Sequence, residues 1–472
     1  MKKSIISILL ALLFTFSFVG CVGQREIENP GDDYEVNVDM TDEDYNQTAT
    51  LTVGVTPDPF EADLIEQVAE GFKEMFPNVT VEITRITGSN YITDVDKLVK
   101  LEKLPDIIYT SETESFSFIS SGYFLNLKPY INAMKANDPS YEEQFVAEAW
   151  KMGQKNYDGD QYVIPRSSDR IVTHLNKTYT DAAIEYWNET YPDDQLPTDI
   201  IKNGWTWDDF LAVCEALRQY YDSNGWTAGN GRYLVDHTFT WAPVMFSLFR
   251  SMDVQICDEN GKWTFDSDAM ENTVAMVRNL IDKKYIAPSN GGGANYENGN
   301  GAMLFHTSSA IKKYSGYIGE GYDIVTFPLI NGEKGVFGFG IPGYGINAEI
   351  AAEKRDLAWQ FLNYITMQEG QNILAKAGMN TPSIRNDLSD YNTAEWGNGY
   401  RHLNLEATVW EGDRNYSEDF FLRFDASKKT TLVGDFSSFM LDITSCTGGK
   451  FDYTVENCLE ELTKNLNKHI SK

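Results

Sequence analysis

Basic residues are scarce in this 472-residue chain: 39 Lys and Arg stand against 70 Asp and Glu, a formal net charge of −31. A field of that sign repels nucleic-acid phosphates and anionic membrane surfaces, so neither is an expected partner, whereas neutral and cationic small molecules remain open. Cysteine is scarce too. The five are Cys21, Cys214, Cys257, Cys446 and Cys458, and no CxxC or His/Cys cluster with metal-ligand spacing exists among them. Five scattered His residues argue against a multi-His metal centre. Catalytic motifs are missing as well: there is no Walker loop, no HExxH, no GxSxG and no nucleophilic Cys with a His partner. Gly338 to Gly343 spells GxGxxG, but Pro342 blocks a helix start and no acid sits at the ribose-binding distance, so the match reads as chance. Two acids meeting in space would serve glycoside hydrolysis, yet nothing singles out a pair. The expectation is a protein without cofactor or metal, and not an enzyme.

What is present begins with an address. Lys2 and Lys3 precede an almost uninterrupted apolar run from Ile5 to Phe18. The run is too short and too N-terminal for a comfortable membrane span, so residues 1–20 read as a signal peptide. Gly20 directly before Cys21 resembles the bacterial lipobox, with Phe18 where leucine is usual. That resemblance implies that Cys21 is diacylated and that the protein sits lipid-anchored on the outer face of the cell membrane. From Val22 to Thr48 nine acids are opposed only by Arg25. Like charges at this density resist collapse, so residues 21–48 read as the lipidated cysteine and an acidic tether. Outside the cell disulfides are permitted. Cys446 and Cys458 are the nearest pair, connectivity is not legible, and Cys214, in a helical pattern, reads as a buried small hydrophobe.

The remaining length is too great for one ordinary core, so two domains are expected, and 42% hydrophobic residues suffice to fill them. Ala49–Val55 alternates as a strand and is broken by Pro57 and Pro59. Leu64, Ile65, Val68, Phe72 and Met75 fall at helical spacing over 63–76. Val79 to Ile86 and Leu104 to Tyr109 read as strands, with helix around 95–101 between them. Strand, helix, strand, helix, strand is the pattern of a helix-covered parallel sheet, and the fold class is α/β. Asp158-Gly159, Asn224-Gly225 and Asn260-Gly261 are hairpin signals. Helices are expected near 206–221, 241–252, 267–283, 349–366 and 368–377, short strands at 302–305 and 322–327, and a Gly/Asn-rich loop over 291–301. Aromatics at 13%, with 10 Trp and 26 Tyr, fill cores and also suit a site that stacks on flat apolar faces.

In order along the chain stand Phe76-Pro77-Asn78-Val79, Leu104-Pro105-Asp106-Ile107, Gly122-Tyr123-Phe124-Leu125-Asn126-Leu127, Tyr162-Val163-Ile164-Pro165, Trp205-Thr206-Trp207-Asp208-Asp209-Phe210, Asn300-Gly301-Ala302-Met303, Ala358-Trp359-Gln360-Phe361-Leu362 and Gly378-Met379-Asn380-Thr381-Pro382. Together, from about Thr50 to Ile384, they resemble the family 1 extracellular solute-binding proteins of ABC importers, the maltose-binding type, in its Gram-positive lipoprotein subgroup. The resemblance implies a two-lobed periplasmic-binding-protein-like fold whose discontinuous lobes are joined by crossing hinge segments. Lobe one would be 49–165 plus 336–384, and lobe two 166–335 plus 385–472. Ligand would lie at strand ends between them, where backbone donors converge.

On that geometry Asp58 and Glu112, each following a strand, face the cleft, and Asp169 lies in the crossing segment where this type places a carboxylate. Arg166 and Arg170 flank it and either pair with it or touch ligand. Phe239 and Trp241 stand where the family positions stacking aromatics. The sequence departs from the family at Phe305-His306-Thr307-Ser308-Ser309, which lacks the usual Trp. His306 or Ser308 is then a hydroxyl partner, with Tyr344 and Trp410 as replacement platforms. The implied function is delivery of a carbohydrate to ABC permease subunits by a monomer. A polyamine or other cationic solute suits the same carboxylates, an extracellular hydrolase is a further alternative, and a sensor or adhesin without transport is another.

Overall fold

The computed structural model describes residues 30–416 except 32–33, 89, 156–159, 237–238, 240, 256–257, 259–261, 263, 288–293, 331–335, 341 and 411–413, and beyond them residues 459–460, 463–464 and 467. β1 (Ala49–Val55) buries Leu51, Val53 and Val55 completely and pairs in parallel with β2 (Val79–Arg85) on one side and β3 (Ile107–Thr110) on the other. The intervening helix Pro59–Met75 starts four residues earlier than its apolar spacing predicts. Pro59 occupies its first position, where a missing N–H costs nothing, and the Asp58 carboxylate accepts the Phe60 N–H at 2.9 Å. Its buried stripe, Leu64, Ile65, Val68 and Phe72, closes on the helix Arg355–Thr366, where Phe72 meets Phe361 edge-on at 5.2 Å.

Both sheets are mixed. In the first, of order β2-β1-β3-β12-β6, β12 (Gly343–Ile346) lies antiparallel to β3 and to β6 (Ile164–Pro165). The ribbon β4 (Gln154–Lys155) and β5 (Asp160–Gln161) flanks the Asp158-Gly159 signal, which itself lies outside the described residues, as does Asn260-Gly261. The second sheet runs β13 (Arg414–Tyr416), β11 (Val336–Gly340), β7 (Asp169–Asn176), β9 (Met303–Thr307), β8 (Val235–Asp236), with β10 (Tyr322–Thr326) also paired to β7. β7 is buried along its whole length. Val336–Gly340, expected in lobe one, thus hydrogen-bonds into the second sheet.

The second core is aromatic. Trp205, Phe210, Tyr221, Phe239, Phe249 and Phe305 are all buried there, together with Cys214, a free and buried thiol. Helix Trp207–Ser223 enters through a capping box, Thr206 accepting from the Asp209 N–H at 3.1 Å while Asp209 reaches back. It ends at Asn224, and Gly225 takes φ +71°. The Asn-Gly pair read as a hairpin is therefore a helix terminus, since a left-handed glycine serves either. Residues 394–407 cover the other side of the sheet, Trp396, Leu403 and Leu405 packing with Val172, Leu304 and Ile324.

The N-terminal segment departs from a free tether. Thr41 caps a short helix, Asp42–Tyr45, and Tyr34, Val36, Val38, Met40 and Tyr45 pack on the first core. Tyr34 donates to the Asn126 carbonyl, and Asn37 donates to Asp356 at 3.1 Å. The apolar residues interspersed among the acids supply the contact that a count of charge alone conceals. Among the described residues no helix is long and apolar enough to cross a membrane.

Candidate binding cleft

The chain passes between the sheets on two strands that run side by side. Ile164 and Pro165 pair with Tyr344 and Gly343, and Asp169 and Arg170 pair with Gly340 and Phe339. Arg166, Asp169, Arg170 and Tyr344, four of the residues expected to meet a ligand, stand on this crossing, and the structure gives them other partners.

Arg166 is 7% exposed. Its Nε and Nη2 donate to the two oxygens of Glu61 at 3.0 and 2.6 Å, a planar bidentate pair. Nη1 donates to Ser167 Oγ at 3.2 Å and lies 3.1 Å from Met379 Sδ. The Tyr344 hydroxyl donates to the same Glu61 carboxylate. Burial opposes the guanidinium charge, and the Glu61 carboxylate more than reverses this, raising the Arg166 pKa. Tyr344 is fully buried with its ring edge-on to Tyr109 at 5.7 Å, a core side chain rather than an exposed platform.

Asp169 is also buried, and neutral donors meet it. Its Oδ1 accepts from Ser308 Oγ at 2.6 Å and from the Ser309 N–H at 2.9 Å, at the turn Ser308–Ala310. Burial pushes its carboxyl pKa up against the pull of these donors. Arg170 does not pair with Asp169 through its guanidinium: Nη1 donates to the Trp410 carbonyl at 2.9 Å. The half-buried Trp410 ring lies over Gly204, where a Cβ would come within 2.5 Å of it and where φ is +79°. Glycine is required there twice, for approach and for backbone.

On the lobe-two side Trp241 precedes the helix Ala242–Ser251, partly exposed, and its ring lies 5.0 Å from that of His306 at an interplanar angle of 31°. His306 also meets Tyr314 at 5.6 Å. Burial lowers its pKa to about 4, so the ring is neutral at physiological pH. Beneath it His174 faces the Thr307 carbonyl through Nε2 at 3.0 Å and the Tyr322 hydroxyl through Nδ1 at 2.7 Å. A carbonyl only accepts, so Nε2 carries the proton and Nδ1 accepts from Tyr322. Burial accordingly depresses the His174 pKa to about 3. Phe239, expected to stack on ligand, is fully buried against Phe305 at 5.9 Å and belongs to the core.

Across the gap Asp58 is exposed, with one oxygen spent on the helix cap. Glu112 opens the helix Glu112–Ser120, and its side chain lies outside the described residues. The lobes touch where Lys312 Nζ stands 5.5 Å from the Phe60 ring centroid, beside Gly378. Glu61, Ser309, Met379 and Lys312 were not singled out by the sequence. Glu61 had one signal, an acid within an otherwise apolar stripe at the start of a helix. Among the described residues no group of three or more His, Cys, Asp or Glu side chains is arranged to hold a metal ion.

The model of the bacterial extracellular solute-binding protein family matches residues 57–372. The chain belongs to that family. Solved structures place the fold within the same two-lobed class. An ABC substrate-binding protein of Listeria monocytogenes, determined with cycloalternan, superposes with a TM-score of 0.68 at 17% identity, over 90% of this chain and 99% of that one. The sugar-binding protein MalE of Xanthomonas citri gives 0.69 at 13% identity, over 89% and 97%. A cyclic alpha-maltosyl-1,6-maltose binding protein of Arthrobacter globiformis gives 0.68 at 14%, over 90% and 99%. Among curated proteins no sequence match reaches significance. In this solute-binding protein the expected α/β class and paired crossing strands are present, while Arg166 and Tyr344 are committed to Glu61, a residue of the first lobe.

Proposed function

We propose that this solute-binding protein captures an oligosaccharide outside the cell and delivers it to the permease of an ABC importer, as a monomer anchored through a lipid on Cys21 and without turning the sugar over. The observation that carries the sugar reading is the Trp241–His306 pair. A partly exposed indole beside a neutral imidazole offers an apolar face to pyranose C–H groups and a ring nitrogen to a hydroxyl. Asp58, Glu112 and Trp410 are the other candidates for ligand contact, with carboxylates accepting pairs of hydroxyl donors. The sugars named for the Listeria and Arthrobacter proteins support the class. Among the described residues the lobes run 49–165 plus 343–387 and 166–340 plus 394–410, with residues 34–48 added to the first.

The test is thermal melting and calorimetry against cycloalternan, maltotetraose, spermidine and peptides. A ligand that binds only the native state raises stability by about 2.7 kcal/mol at a hundredfold excess over Kd. A rise with an oligosaccharide, and unaltered sugar recovered afterwards, is expected. A rise with spermidine alone returns the site to a cationic solute, and release of shorter sugars makes it a hydrolase. Palmitate labelling that disappears in Cys21→Ala tests the anchor.

A further inference from the structure

Two buried ionic side chains stand three residues apart on the first crossing segment, and each is fixed to a different lobe. Arg166 is held by Glu61 from the first-lobe helix Pro59–Met75, and the same carboxylate takes the hydroxyl of Tyr344 on the second crossing strand. One acid therefore reaches both crossing strands, adding a side-chain tie to the backbone pairing that already joins Tyr344 to Tyr109 of β3. Met379, just before the chain's later return toward lobe two, touches the same guanidinium. The Arg166 carbonyl accepts from Gln371 of lobe one at 2.9 Å. On the other side, Asp169 is fixed to Ser308 and Ser309 of lobe two, and Arg170 to the carbonyl of Trp410.

Between these fastenings lie only Ser167 and Ser168, and opposite them Pro342, whose carbonyl accepts the Arg166 N–H at 2.9 Å. Both serines are small and buried, Ser167 Oγ accepting from Arg166 and the Ser168 N–H donating to the Pro382 carbonyl at 3.0 Å, and hinges are a few residues that absorb a change of backbone angle. We infer that Glu61 is a positioning residue for lobe closure: by clamping Arg166 and Tyr344 to lobe one it confines the bend to residues 167–168 and the facing Pro342, so that the lobes close along one path. Without the clamp, the Arg166 side chain is released and residue 166 joins the bend, while Gly343–Ile346 stays paired to β3, and the closing motion loses its single axis. The inference rests on the two-lobed fold and not on the identity of the solute.

The experiment is pulsed electron–electron resonance on the ligand-free full-length protein, with spin labels on non-natural amino acids replacing Lys103 in lobe one and Glu320 in lobe two, both exposed. Glu61→Gln leaves Arg166 buried without its counter-ion, and the interlobe distance distribution should broaden as the melting temperature falls. Because that variant is exposed to misfolding, the double variant Glu61→Gln/Arg166→Met decides. Removing both charges recovers much of the melting temperature, as replaced buried pairs do, yet the distribution should stay broad. Asp169→Ala, at the opposite fastening, should broaden it too. A double variant with the distribution of the unaltered protein overturns the inference and leaves the pair a purely structural one.

Discussion

Arg166 and Asp169 share one crossing segment, between the end of β6 and the start of β7, and a depth of burial, yet the molecule solves their charge in opposite ways. The guanidinium receives a full counter-ion in Glu61, with every donor nitrogen engaged. The carboxylate receives a hydroxyl and a backbone N–H. An ion pair of the first kind is costly to break from one side, because the partner left behind is a bare buried charge. A hydrogen-bonded acid of the second kind tolerates loss of charge so long as an acceptor remains. The lobe-one fastening is thus brittle and the lobe-two fastening forgiving.

The sharpest way to break this contrast is Glu61→Gln, expected to cost about 3–5 kcal/mol in urea unfolding by analogy with broken buried pairs. A cost no greater than that of an exposed pair would remove the distinction. Next in size, Trp241→Ala should weaken oligosaccharide binding about tenfold, equivalent to roughly 1.4 kcal/mol, with the melting temperature of the ligand-free protein little changed. An equal loss with Phe239→Ala and no folding defect would make the lobe-two floor less specific than its burial indicates. His306 sharpens the comparison through pH. Its folded pKa, about 4, lies below the ordinary 6.5, so the unfolded chain takes up the proton first. Stability should then fall as pH drops from 6.5 toward 4, and His306→Gln should flatten that fall in calorimetric melts. Smallest is Asp169→Asn, which keeps an Oδ1 acceptor for Ser308 and Ser309 and should cost under about 1 kcal/mol. Since burial raises the Asp169 pKa, its charge opposes folding above the unfolded value of 3.8, and the Asn variant should gain relative to the parent as pH rises through that range.

What could be read from the sequence was local. The capping box at Thr206, the strand Ala49–Val55 and the parallel start of the first sheet follow from neighbours within a few residues. Glu61 and Arg166 are 105 positions apart, and Tyr344 meets Glu61 across 283. No periodicity marks such a meeting. The strand Gly343–Ile346, half glycine, carries no β-branched pattern and exists because β3 and β6 offer it backbone partners on both sides. Arg166 was expected to pair with Asp169 or to touch ligand, and Tyr344 to stand open as a stacking platform. Those groups found partners inside the protein instead, as buried polar groups do.

The packed N-terminal segment of residues 34–48 has a mechanical consequence. A pull on residue 34 is carried into lobe one, through Asn126, Asp356 and the bond from Gln360 to the Val38 carbonyl. Under the anchor proposed at Cys21 the two lobes would not be equivalent under load: the first would be the moored hull, and the second the boom that swings.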